Sequence, residues 1–224
     1  MSPPVESPSL RGSSHLAYNL AGIATLVLLV AIAAAYGIDQ ATRTTRPLPA
    51  AISDGDAIVQ TIAGRELTIP ASWFRYGEQI KSGFASQVDL RVQLDLLASE
   101  PPMPVDVTLL PRSRARASSV LLDTVYLHQF ADGVEGGVPG LVGKPLSDGN
   151  GYAGETVWYD ALSPNPFVAK CADPVETGQT ARCVRTVQLP SGLAAIFTFD
   201  ATALHGWREF DGHMAQWLGR IGAL

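Results

Sequence analysis

The sequence predicts an N-terminal transmembrane helix followed by an α+β domain, mainly antiparallel sheet with a C-terminal helix. Three observations carry that reading. Leu16 to Ile38 contains no charged residue. Gln87 to Leu96 alternates apolar and polar side chains, the pattern of a strand with one wet face. Ala203 to Ile221 repeats large apolar residues at helical spacing.

The first segment is long enough to span a bilayer. At about 1.5 Å per residue it covers roughly 34 Å, against a hydrocarbon core of about 30 Å. Tyr18 and Tyr36 stand near its ends, where amphipathic rings favour the headgroup level. This divides the chain into a cytoplasmic tail (1–15), a transmembrane helix (16–38), a linker (39–55) and a globular extracytoplasmic domain (56–224). A cleaved signal peptide is the alternative, since Ala33-Ala34-Ala35 offers small residues and Arg11 a thin positive region. The apolar run exceeds the usual signal length, which favours the anchor. Arg11 before the span and Arg43 and Arg46 after it leave the positive-inside rule nearly balanced. The tether-like linker Thr42 to Ala51 and a cysteine pair favour an exported domain.

Within the domain, Ala57 to Ile62 and Glu66 to Ile69 flank Ala63-Gly64-Arg65 as a hairpin. Pro70 ends the second strand, and Ser72 opens a short helical turn through Trp73 and Phe74. Val105 to Leu110 is a further strand after the breaker Pro101-Pro102-Met103-Pro104. Val120 to Phe130 begins helical and finishes as a strand, because Thr124-Val125-Tyr126-Leu127 favours β structure. Gly133 to Gly151, rich in Gly and Pro, reads as an irregular excursion. Glu155 to Tyr159, Phe167 to Cys171, Arg182 to Leu189 and Leu193 to Phe199 are strands, the last two joined by Pro190-Ser191-Gly192. Leu204, Trp207, Phe210, Met214, Trp217 and Leu218 form the apolar stripe of the closing helix.

Charge excludes two classes of partner. Beyond Ser53 the chain carries 13 Lys/Arg against 19 Asp/Glu, a balance of −6. A nucleic-acid binder needs a basic face, and so does a domain lying on anionic lipid. Arginine outnumbers lysine 13 to 3, which matches the coding bias of a GC-rich bacterial genome.

Candidate chemistry is sparse. Cys171 and Cys183 sit at the end of one predicted strand and the start of the next, so a hairpin brings them within bridging reach. A disulfide is expected, worth roughly 3 kcal/mol in the chain-entropy model; two free buried thiols are the alternative. Zinc fits poorly without a CxxC or a histidine pair nearby. Arg112, Arg114 and Arg116 alternate, which on an extended segment puts all three on one side as a possible anion-binding row. A solvated loop after Pro111 is the simpler account. His205, Glu209 and His213 make an HxxxExxxH pattern along one predicted helix, a spacing with no catalytic precedent, and helix-surface residues explain it better. Ser191 lacks the GxSxG elbow, and Asp148-Gly149-Asn150-Gly151 lacks the later acid of a calcium loop. No metal site, catalytic residue or cofactor is expected.

Gly64 to Phe74, Val105 to Phe130, Gly151 to Cys171 and Ser191 to Phe199 together resemble uncharacterised, single-pass, membrane-anchored proteins of alphaproteobacteria. The likeness covers most of residues 57 to 218 and implies an anchored envelope protein, with no activity attached. The expectation is therefore a bacterial inner-membrane protein held through residues 16–38, its C-terminal domain in the periplasm. That domain is expected to bind an envelope protein or another envelope component without catalysis. An envelope hydrolase using His128 with an acid, and an immunity-type protein neutralising a toxin, are the rival readings.

Overall fold

The computed structural model describes residues 19, 22–34, 56–96, 101–174, 176 and 178–224. The chain divides into two compact units, residues 1–50 and 51–224.

In the first unit, residues 22–34 are helical. Ile23, Leu26, Val27, Leu28, Leu29, Val30 and Ile32 are 56–65 % exposed. No helix among the described residues is long and apolar enough to cross a membrane. The other residues of the expected 16–38 span, apart from Asn19, lie outside the described ones, as do the expected tail (1–15) and the whole of the linker (39–55).

The second unit is an α+β domain built on antiparallel sheet with a C-terminal helix. A hairpin of β1 (Ala57–Ile62) and β2 (Arg65–Pro70) turns at Ala63 and Gly64. Both turn residues have positive φ, 49° and 82°, as a two-residue hairpin turn whose twist matches its strands requires. β3 (Gly83–Phe84) adds to β1 in parallel. The main sheet has seven strands in the order β4 (Val88–Leu94), β5 (Met103–Pro111), β10 (Leu193–Asp200), β9 (Arg182–Gln188), β8 (Val168–Ala172), β7 (Glu155–Tyr159) and β6 (Val142–Pro145). Every pairing in it is antiparallel. β6 to β10 form a meander, and the β4–β5 hairpin closes against β10.

Strand alternation gives the sheet two unlike faces. One presents Leu90, Val107, Ala195, Phe197 and Phe199 to α2 (Trp207–Arg220), whose Phe210, Met214 and Leu218 are buried at successive turns. The Phe210 ring lies 4.6 Å from Phe199, 5.7 Å from Phe197 and 6.1 Å from Phe167, centroid to centroid. Ile62, Leu67 and Ile69 of the small sheet complete this core. The other face is split. α1 (Ser118–Thr124) covers the β7–β8 side through Leu122, with Tyr126, Leu146, Val157 and Val168. Over β4 and β5 the same face carries Asp89, Arg91, Asp106 and Thr108.

The outer margins of the sheet are met by loops. Phe74 bridges to Leu90 on β4, and the Arg75 N–H donates to Asp89 O. Glu135 bridges to Gly143 on β6, and the Ala131 N–H donates to Pro145 O.

Four expectations need correction. Residues 124–127 are not a strand: the helix runs to Thr124 and a 3-10 turn follows at Tyr126–His128. Burial of Leu122 and Tyr126, one helical turn apart, overrides β propensity here, and Thr124 Oγ1 donates back to Val120 O. The Gly-rich stretch 133–151 contains β6. Gly143 sits opposite Trp158, and an added Cβ would lie 2.8 Å from that ring, so the glycine lets a strand pass there. β5 starts inside the proline run, because β10 pairs only as far as Asp106 and leaves one side of Pro104 without a neighbour. Residues 201–206 are a 3-10 turn, so α2 begins at Trp207 rather than near Ala203.

Candidate functional site

The sheet forks between β8 and β9. Cys171 and Cys183 are opposite one another in the register and form a disulfide, with their Cα atoms 3.9 Å apart. Pairing extends one residue further, to Lys170 and Val184, and stops. From Arg185 to Gln188, β9 stays paired with β10 but, among the described residues, has no strand on its other side. Alternate residues of an antiparallel strand turn both backbone groups to the same neighbour. The Thr186 N–H donates to Ser118 Oγ at 2.8 Å, so Thr186 and Gln188 are the residues whose backbone faces the fork.

The fork opens into a cleft of about 560 Å³, within the size range of binding pockets. Its floor is β9 from Arg185 to Gln188, with Leu189 just past its end. One wall is Ala117, Ser119 and Val120 at the start of α1; the other is Met214, Ala215 and Leu218 of α2. Asn165 and Pro166, in the β7–β8 connection, and Leu224 complete it. Helix packing positions both walls, since the same residues that bury α2 on the sheet turn Ala215 toward the opening.

Arg185 braces the root of the fork. Its guanidinium is bidentate to Asp211 (Nε to Oδ1 2.9 Å, Nη2 to Oδ2 2.6 Å) and its Nη1 donates to Val168 O at 3.0 Å. It also stacks on the Phe167 ring at 4.3 Å. The Val168 carbonyl would face a β9 neighbour if the pairing continued; the arginine takes that place. Its side chain is 8 % exposed and that of Asp211 49 %, so the pair runs from the core to the cleft wall.

The three arginines read as a row are placed differently from one another. Arg112, Ser113 and Arg114 form a 3-10 turn rather than an extended segment. Arg112 lines the cleft. Arg114 Nη1 donates to Ser86 O at 3.2 Å, and Arg116 is exposed. His128 is exposed on its 3-10 turn and is not among the cleft residues. His205 is exposed on the turn before α2, so it does not share a helix with Glu209 and His213. No group of three or more His, Cys, Asp or Glu among the described residues is placed to hold a metal ion.

A second polar assembly lies on the open half of the sheet. Asp106 on β5 accepts from Arg91 on β4 (Nε to Oδ1 2.7 Å, Nη2 to Oδ2 3.2 Å). Arg75 and Arg182 approach the same Oδ2 at 3.4 and 3.6 Å. Beside them, Asp89 accepts from Thr108 Oγ1 (2.6 Å), Gln79 and Gln87. Burial alone would raise the Asp89 carboxyl, but these hydrogen bonds and the Arg75 charge outweigh it and hold it below the ordinary range. Burial likewise opposes Asp200, and the bonds from Thr180 and Thr202, with the Arg182 charge, hold it low. Sequence spacing offered no route to this assembly, because its arginines come from three separate elements. Only the alternation of β4 and β5 placed Arg91 and Asp106 on one face.

No protein-family model matches the chain, and no curated protein matches it in sequence. Solved structures similar in outline include two envelope-associated or secretion-associated proteins. One is Smlt3025, an immunity protein of the Stenotrophomonas maltophilia type IV secretion system, at 10 % identity and a TM-score of 0.44, covering 74 % of this chain and 92 % of that one. The other is FrpD, the iron-regulated outer membrane lipoprotein of Neisseria meningitidis, at 11 % identity and a TM-score of 0.43, covering 76 % and 92 %.

Proposed function

We propose that this is a membrane-tethered envelope protein that binds a partner protein, taking an extended segment of that partner along β9. The fork carries the proposal. A strand that keeps one neighbour and lacks the other offers main-chain groups at Gln188, beyond the Thr186 N–H that Ser118 Oγ already takes, and an incoming peptide pairs with such an edge. Side-chain pockets beside the edge supply selectivity. Met214, Ala215 and Leu218 form an apolar wall, and Arg112 at the cleft suits a carboxylate on the bound segment. The Arg185–Asp211 pair is spent on itself and on Val168, so it shapes the cleft rather than reacting in it.

The disulfide supports placement outside the cytoplasm, where thiols oxidise. The exposed apolar side chains of residues 22–34 support an anchor in the inner membrane.

Photo-crosslinking in cells tests the binding site. A photoreactive residue at Gln188 is expected to give one discrete protein adduct, whereas the same residue at Phe84, which is 91 % exposed, gives none. Ala215→Phe, which fills the cleft from the helix side, removes the adduct while the folded domain persists. Equal adducts from Gln188 and Phe84, or an adduct that survives Ala215→Phe, would defeat the proposal.

A further inference from the structure

The assembly around Asp106 is rich in donors and poor in acceptors. Arg91 uses its fork on Asp106. Arg75 and Arg182 do not: among the described residues each makes one ion-pair contact, to Asp106 Oδ2 at 3.4 and 3.6 Å, and Arg75 also lies over the Tyr76 ring at 5.2 Å. A guanidinium carries five N–H donors in a rigid plane. Asp89 and Asp200 act on Arg75 and Arg182 through charge, but among the described residues no hydrogen bond joins either pair. Asp89 is occupied by Thr108, Gln79 and Gln87, and Asp200 by Thr180 and Thr202. These acids balance the charge at the rim, yet their oxygens face other donors. Arg75 and Arg182 remain partly open to solvent, with side chains 28 % and 47 % exposed, while Asp106 beneath them is at 9 %.

The two arginines also arrive from opposite sides. Arg75 lies beyond β4, at the outer margin of the sheet, and Arg182 is on β9, two strands away from β5. A planar carboxylate presents two oxygens in one direction, whereas a tetrahedral oxyanion presents oxygens to both sides. We infer that Arg75 and Arg182, held in place over the Arg91–Asp106 pair, form a binding site for a phosphate-type oxyanion. The site is separate from the cleft and stands without the reading proposed for it.

The test is thermal unfolding of the full chain in non-ionic detergent micelles, with orthophosphate, glucose 6-phosphate or chloride at matched ionic strength. Orthophosphate is expected to raise the midpoint where chloride does not. Glucose 6-phosphate acting as strongly assigns the site to phosphate groups on larger molecules; orthophosphate acting alone assigns it to the free ion. Arg75→Gln and Arg182→Gln should each weaken the apparent affinity about tenfold, the scale of one charge-assisted hydrogen bond. Arg116→Gln, at an exposed arginine elsewhere, should leave it unchanged. If a Gln variant fails to fold, Arg182→Lys keeps the charge, loses the fork and should still weaken binding. No difference between phosphate and chloride, or full binding in the Arg75 and Arg182 variants, overturns the inference.

Discussion

Arg185 on β9 is joined to Asp211 on α2 by two short hydrogen bonds, and the same guanidinium caps the Val168 carbonyl where β8 leaves β9. One side chain thus ties the terminal helix to the sheet at its fork. Arg185→Leu strands the Val168 carbonyl and removes the stack on Phe167, so a loss of about 3 kcal/mol is expected. Asp211→Asn should cost only about 1 kcal/mol, because that carboxylate is half exposed and its charge is screened. Urea unfolding of both variants checks this. Equal losses would mean that the ion pair alone, without the Val168 bond, holds the helix.

The disulfide predicts a redox dependence. Replacing both Cys171 and Cys183 by Ala should lower stability by roughly 3 kcal/mol, as expected for opening a loop of this size. Thiol alkylation of the protein taken directly from cells should label neither cysteine until a reductant is added. Labelling before reduction would remove the support for an exported domain.

Acid should destabilise the domain through Asp89 and Asp200. A carboxyl with a lower pKa in the folded state contributes fully above about pH 4, the ordinary aspartate range, and loses that contribution as pH falls through its depressed value. The urea midpoint of the native protein should therefore fall steeply below about pH 4. Asp89→Asn should start lower at neutral pH and decline less on acidification. Parallel curves for the two proteins would rule Asp89 out as a contributor.

The β1–β2 turn holds an alanine where left-handed backbone is needed. Ala63→Asn gives the Asn-Gly pair favoured by such turns and should stabilise the domain by about 0.5–1 kcal/mol, read as a higher urea midpoint. A lower midpoint would show that the turn tolerates alanine without cost.

Elements with local signatures were legible in the sequence. The β1–β2 and β9–β10 hairpins, the wet-faced β4 and the apolar stripe of α2 all follow from spacing and turn residues within a few positions of each other. β6 was hidden because its identity depends on Trp158, fifteen residues away, which demands a glycine at 143. Tyr126 misled for a similar reason: its β propensity is local, and its burial against Val157 and Val168 is not. The cysteine pair was readable because hairpin strands bring neighbours in sequence together. The fork and the Asp106 arginines were not, since both arise where distant segments meet, or fail to meet, across the sheet.

The covered margins of the main sheet bear on how this protein behaves in a crowd. Exposed strand edges recruit strands from other molecules, the first step toward amyloid-like stacking. Here loops blunt both ends of the sheet, and Lys144 and Pro145 sit on the last strand, residues poorly suited to fibril growth. Copies diffusing side by side at high density have little to grip at those ends.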